Sequence, residues 1–215
     1  MKELENLPDK GILHAKAGRE KFSLIRYEPS EDLAHFVEHY WLTRWDLRGQ
    51  PPYRQIILTH PCVNLVFEQD DRHNGYTGVH GIRKTSDNKL LHGKGKALGI
   101  KFKPGGFYPF WRQPMTRLTG RSVGCGELFG IPMAPVEQRL FSQRSGERIA
   151  AEAESFLRNR LPERDLQAEL ATRIVEAVSG NRSMSKAQDL ADAYGMSLRS
   201  LQRLLSQYVG ISPKW

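Results

Sequence analysis

The 215-residue chain has only two cysteines, Cys62 and Cys125, too few for a disulfide framework or a four-cysteine zinc site. A reduced, cytoplasmic setting is therefore expected. No apolar run approaches the roughly 18 residues that a membrane-spanning helix needs, and no membrane partner is expected. The richest stretches, Ile56-Ile57-Leu58 and Asn64-Leu65-Val66-Phe67, have the length of strands. The opening MKELENLPDKG is polar and lacks the apolar centre of a signal peptide. Motifs that carry chemistry are missing too: there is no G-x-S-x-G elbow, P-loop or dinucleotide fingerprint. Lys94-Gly95-Lys96 and Gly124-Cys125-Gly126 lack the spacing of phosphate cradles. Among seven histidines, no H-x-H pair precedes a glutamate, and His60, His80 and His92 are far apart. His35 and His39 would share a helical face, but their stretch reads as strand. Neither catalytic residues nor a metal or cofactor site are expected. Cys62, flanked by Pro61 and Val63, reads as a buried structural thiol.

What the chain does have is positive charge: 32 Lys and Arg against 24 Asp and Glu, a net +8. That balance favours polyanionic partners without specifying one. Residues 179–215 hold Arg182, Lys186, Arg199, Arg203 and Lys214 against Asp189 and Asp192. Such a small excess needs a motif behind it.

Residues 22–103 read mostly as β structure. Phe36 to Asp46, Arg54 to Thr59, Val63 to Glu68 and Ala97 to Lys103 are short aromatic or β-branched segments between Gly, Pro, Asn and Asp clusters. Strands at this spacing predict a barrel or sandwich. Pro104-Gly105-Gly106 should stop the last of them and turn the chain sharply into Phe107-Tyr108-Pro109-Phe110-Trp111. Tyr40, Trp41, Trp45, Phe107 and Trp111 could wall an apolar ligand pocket or simply fill the core; Trp41 and Trp45 should share one strand face. From about residue 133 the pattern turns helical. Glu147 to Leu161 is alanine-rich, and Leu166, Leu170, Ile174 and Val178 recur every four residues on one predicted face. Ser179-Gly180-Asn181 reads as a stop.

The last segment is the most informative. Ser185 and Gln188 fit a capping box for a helix carrying Ala187, Leu190, Ala191 and Tyr194 on one face. Gly195 suits a tight turn, and Ser197 can cap a second helix. That helix divides in two at 100° per residue. Leu198, Leu201, Leu204, Leu205, Tyr208 and Val209 take one arc; Arg199, Gln202, Arg203 and Ser206 take the other. Two short helices, a glycine turn and a polar outer face match a helix-turn-helix, whose second helix enters the DNA major groove. Arginine can read guanine there, and glutamine adenine. The same spacing also fits an amphipathic hairpin with solvated arginines.

The run from Leu190 to Leu205, followed by Val209-Gly210-Ile211-Ser212-Pro213, resembles the first helix-turn-helix of AraC/XylS-family transcription regulators. The likeness lies in the LA pair, the G-x-S turn, the spaced leucine and the closing VGISP; Leu205 replaces a more usual phenylalanine. The resemblance implies that Arg199, Gln202 and Arg203, with Ser197 and Ser206 beside them, face double-stranded DNA. It also implies two such units joined by a long helix, so that a chain ending at Trp215 is expected to hold only the first. Pro61 to Glu68, Gly99 to Phe107 and Leu128-Phe129-Gly130 resemble an uncharacterised sensor-like domain found ahead of such modules. A cupin-like barrel, a small-molecule effector and homodimerisation are what this implies, with RNA polymerase a partner if the regulator activates.

The expected organisation is α+β: a β-rich sensor or dimerisation domain at 1–132, a helical connector at 133–180 and a helix-turn-helix at 181–215. The expected function is sequence-specific, effector-controlled regulation of transcription. The alternatives are a cupin-like metal-dependent enzyme and a ligand-binding module that does not bind DNA.

Overall fold

Alternating side chains along the strands sort onto two faces of one antiparallel sheet. The computed structural model describes residues 1–4, 18–180 and 186–213. Six strands pair in the order β1 (Phe22–Tyr27), β2 (Val37–Asp46), β7 (Lys94–Phe102), β4 (Asn64–Asp70), β5 (His73–His80) and β8 (Ser122–Gly124). A separate two-stranded sheet joins β3 (Tyr53–Ile57) to β6 (Asp87–Leu91). The strands expected around residues 36–46, 54–59, 63–68 and 97–103 are all present, within a few residues of their expected ends.

The expected barrel is not. Among the described residues the six-stranded sheet is open, with β1 at one edge and β8 at the other. A helix does the work a second wall of strands would do in a barrel. One face of the sheet presents rows that cross four strands, such as Ile25–Leu42–Leu98–Phe67 and Tyr27–Tyr40–Ile100–Leu65. Helix α4 (Gly146–Arg158) covers these rows with Ile149, Ala150, Ala153, Phe156 and Leu157, all buried. Phe67 and Phe156 meet edge-on, with ring centroids 5.9 Å apart. The preceding helices α2 (Cys125–Phe129) and α3 (Ala134–Ser142) complete this side, after the single turn α1 (Tyr108–Trp111).

Polar groups fasten α4 in place. The buried Glu154 carboxylate accepts from the Ser30 backbone N–H at 2.8 Å, and Arg158 holds Asp32 at 2.9 Å. Burial, followed by the charge of Glu154, raises the Tyr40 phenol far above its ordinary value, so it stays neutral. Thr77, buried in β5, donates to Glu137 of α3 at 2.7 Å.

The opposite face carries Trp41 and Trp45, as their spacing requires. A Cβ on Gly99 would collide with the Trp41 indole, so the glycine lets that ring lie across the neighbouring strand. Trp45 donates from Nε1 to the His92 carbonyl at 3.0 Å, and Tyr53 and Leu91 of the small sheet pack over it. The Tyr27 end of the β1 edge is itself occupied: Leu4 donates to the Arg26 carbonyl at 2.9 Å, and Glu28 donates to the Lys2 carbonyl at 3.0 Å.

A second core forms where α5 (Leu166–Gly180), α6 (Ala187–Ala193) and α7 (Leu198–Tyr208) meet, joined by Ile82 from the β-rich part. Within the expected connector, α3 and α4 pack on the sheet and α5 packs in the terminal core. The expected α5 stripe is also shifted. Leu166 is 74% exposed and Val178 39%, while Ala168, Ala171, Thr172, Ile174 and Val175 are buried. Small residues win that face because α5 runs close to the turn after β7. Gly105, at φ +81°, leaves no room for a Cβ beneath the Ala168 carbonyl, and Thr172 donates to the Pro104 carbonyl. Ser179 and Gly180, read as a stop, are the last residues of the helix. Asn181, Arg182, Ser185, Lys214 and Trp215 lie outside the described residues.

Candidate nucleic-acid interface

The terminal helices form as their local sequence requires. Gly195 sits at φ +62°, a conformation that side-chain-bearing residues rarely adopt, and turns the chain out of α6. Ser197 is extended and accepts from the Ser200 N–H at 3.1 Å, capping α7. The other cap differs from expectation. Lys186 holds the cap position of α6 without a side-chain bond, and Gln188 reaches forward to Asp192 at 2.8 Å instead of back. A carboxylate one helical turn ahead gives the amide a closer partner than the helix start.

Helix α7 sorts its residues cleanly. Leu201, Leu204 and Leu205 are buried in the second core, while Arg199, Gln202 and Arg203 are exposed. Neither arginine has an ion partner among the described residues. Ser206 is half-buried, and the Ser197 hydroxyl is engaged in its cap, within 3.0 Å of Ser200 Oγ. The structure therefore brings Arg199, Gln202 and Arg203 together as one open polar surface.

The other end of α7 is held by the β-rich part. Thr119 donates to the Gly210 carbonyl at 2.6 Å, Gln207 donates to the Tyr108 hydroxyl at 3.2 Å, and the Tyr108 and Tyr208 rings lie 4.4 Å apart. Burial, then the nearby Asp165 and Tyr108, raises the Tyr208 phenol above its ordinary value. None of these contacts could be read from sequence, since 91 or more residues separate the partners of each. The only local hint is the tyrosine within an otherwise apolar run, Phe107 to Trp111.

The five aromatic residues considered for a pocket are not on one side of the sheet. Tyr40 faces α4, whereas Trp41 and Trp45 lie on the opposite face. Phe107 fills the main core edge-on to Phe102, with centroids 5.0 Å apart, and the half-buried Trp111 packs at its margin. Among the described residues no three His, Cys, Asp or Glu side chains converge as metal ligands. Burial pushes the Cys62 thiol up to about 12, which leaves it protonated and unreactive at neutral pH. No helix among the described residues is long and apolar enough to cross a membrane.

A different concavity exists. An open groove of about 770 Å³ lies at the end of the sheet beyond α4, lined in part by Ser23, Arg44, Trp45, Gln69 and Lys96. Of the five aromatic residues, it takes only Trp45.

Comparison with known proteins gives one finding. Residues 25–124 match a family described as a domain of unknown function (DUF6597). The match spans all of the six-stranded sheet except the first residues of β1. No curated protein and no solved structure matches the chain.

Proposed function

We propose that this chain is a sequence-specific DNA-binding transcription regulator of the AraC type, in which α6 and α7 form a helix-turn-helix. The observation that carries the reading is the surface of α7. Three side chains suited to base edges, Arg199, Gln202 and Arg203, stand exposed on a helix whose other side is buried. Arginines serving only as structural ion pairs would have carboxylate partners; these have none among the described residues. The matched DUF6597 domain is found at the N-terminal side of AraC-type regulators, which supports the same reading. In this proposal the β-rich part receives a small-molecule effector, and two protomers present their α7 helices to neighbouring half-sites.

Selection from a random duplex library tests the DNA step directly. The chain should enrich a motif, and Arg199→Ala/Arg203→Ala should lose it, each bidentate contact being worth roughly 1–3 kcal/mol. Equal enrichment by the double variant, or none by either protein, would refute base reading by α7.

A further inference from the structure

We propose that the groove at the end of the sheet is a binding site for a small anion, a carboxylate or a phosphate, held by Arg44 and Lys96. The proposal gives a chemical class to the effector in the reading above, but its geometry depends on no DNA contact.

The observation is a row of four residues that crosses four strands in register. Ser23 pairs with Arg44, Arg44 with Lys96, and Lys96 with Gln69. Register partners in an antiparallel sheet point to the same side, so these four side chains share a face. The adjacent row on that face is Ile25, Leu42, Leu98 and Phe67, which belongs to the apolar core. The face therefore changes, within one step along every strand, from hydrocarbon to hydroxyl, guanidinium, ammonium and amide. All four polar residues line the groove.

The two cations are unusual neighbours. Like charges directly opposite each other on adjacent strands destabilise a sheet. Arg44 has no carboxylate partner among the described residues. Lys96 Nζ donates to the Phe141 carbonyl at 2.9 Å and sits 5.0 Å from the centre of that ring, which satisfies one of its three donors and neutralises none of its charge. Burial, and then the charge of Arg44, lowers the Lys96 ammonium below its ordinary value. A bound anion would relieve both costs at once. The rim selects against a large polyanion: Glu20, Asp46, Asp70 and Asp71 also line the groove. Asp46 is paired with Arg48, and Asp71 accepts from the Lys94 N–H at 2.7 Å. A groove of this size admits a metabolite-sized ligand, whereas a nucleic-acid backbone would meet the carboxylates.

Calorimetric titration of the full chain with succinate, inorganic phosphate and neutral succinamide tests the site. Saturable binding of succinate, phosphate or both is expected, tighter than about 1 mM, with succinamide inert. Binding of one anion alone names the class. Arg44→Gln and Lys96→Gln should each weaken it at least about tenfold, the scale of a lost charged contact. Arg44→Gln removes the like-charge opposition, so its unliganded melting temperature should equal or exceed that of the parent, which separates lost binding from lost folding. The proposal is overturned if neither anion saturates, if both variants bind like the parent, or if succinamide binds equally well. It is also overturned if a random-sequence duplex binds in a manner that Arg44→Gln abolishes, which would assign the groove to nucleic acid. Failure here leaves Arg199 and Arg203 untouched, and failure of base reading by α7 leaves Arg44 and Lys96 untouched.

Discussion

Gly99 shows how one residue can set what its neighbour is able to do. Any side chain there must displace the Trp41 indole that crosses it. Gly99→Val should destabilise the fold by about 1–3 kcal/mol, the usual cost of overpacking, read as a lower urea midpoint with an unchanged slope. His80 offers a separate test. Burial first, then the charges of Arg83 and Lys89, lowers its pKa below the ordinary 6.5, and its Nδ1 lies 2.8 Å from Ser122 Oγ. The unfolded chain therefore binds the proton more readily than the folded one. This contribution to stability is complete above pH 6.5 and is lost as pH falls below that value toward the folded pKa. His80→Gln should flatten stability against pH in that window, which denaturation at a series of pH values would show. On α7, Ser197→Ala should cost about 1 kcal/mol through its lost cap. Arg199→Ala, on the exposed face, should stay within about 0.5 kcal/mol of the parent while lowering DNA affinity.

The elements divide into those with a clear local period and those without. β2 carries VEHYWLTRWD, with aromatics on both faces, and α7 carries LRSLQRLLSQY, with leucines at helical spacing. Both could be recognised before any fold was known. β5 (HNGYTGVH) and β6 (DNKLL) could not, because glycine, asparagine and charge mask their extended form. The open sheet was hidden for a related reason. Whether strands close on themselves or are covered by helices depends on which surface α4 meets, and that is decided by contacts distant in sequence. The row Ser23–Arg44–Lys96–Gln69 was equally hidden: each residue reads alone as an ordinary strand polar group, and only register unites them. For α7, visible period and energetic weight coincide. Leu201→Ala should cost about 2–5 kcal/mol as a fully buried leucine, and the loss should appear as a lower denaturation midpoint.

For the molecule as a whole, the two cores differ in how firmly they are tied. The helices α5 to α7 meet the sheet through Ile82, the Pro104 turn, Tyr108 and Thr119. Thr119→Val strands the Gly210 carbonyl, so hydrogen exchange in α6 and α7 should quicken while β4 and β7 amides keep their protection. Equal acceleration in both regions would show a single cooperative unit instead. The capped end of the β1 edge has a consequence for self-association. A second copy that sought to lengthen the sheet there would first have to evict Lys2 to Leu4, and at the far edge β8 offers only three residues. Strand addition is thereby hindered at the Tyr27 end of β1. Removing residues 1–4 should free that end of the edge, and light scattering should then rise with protein concentration.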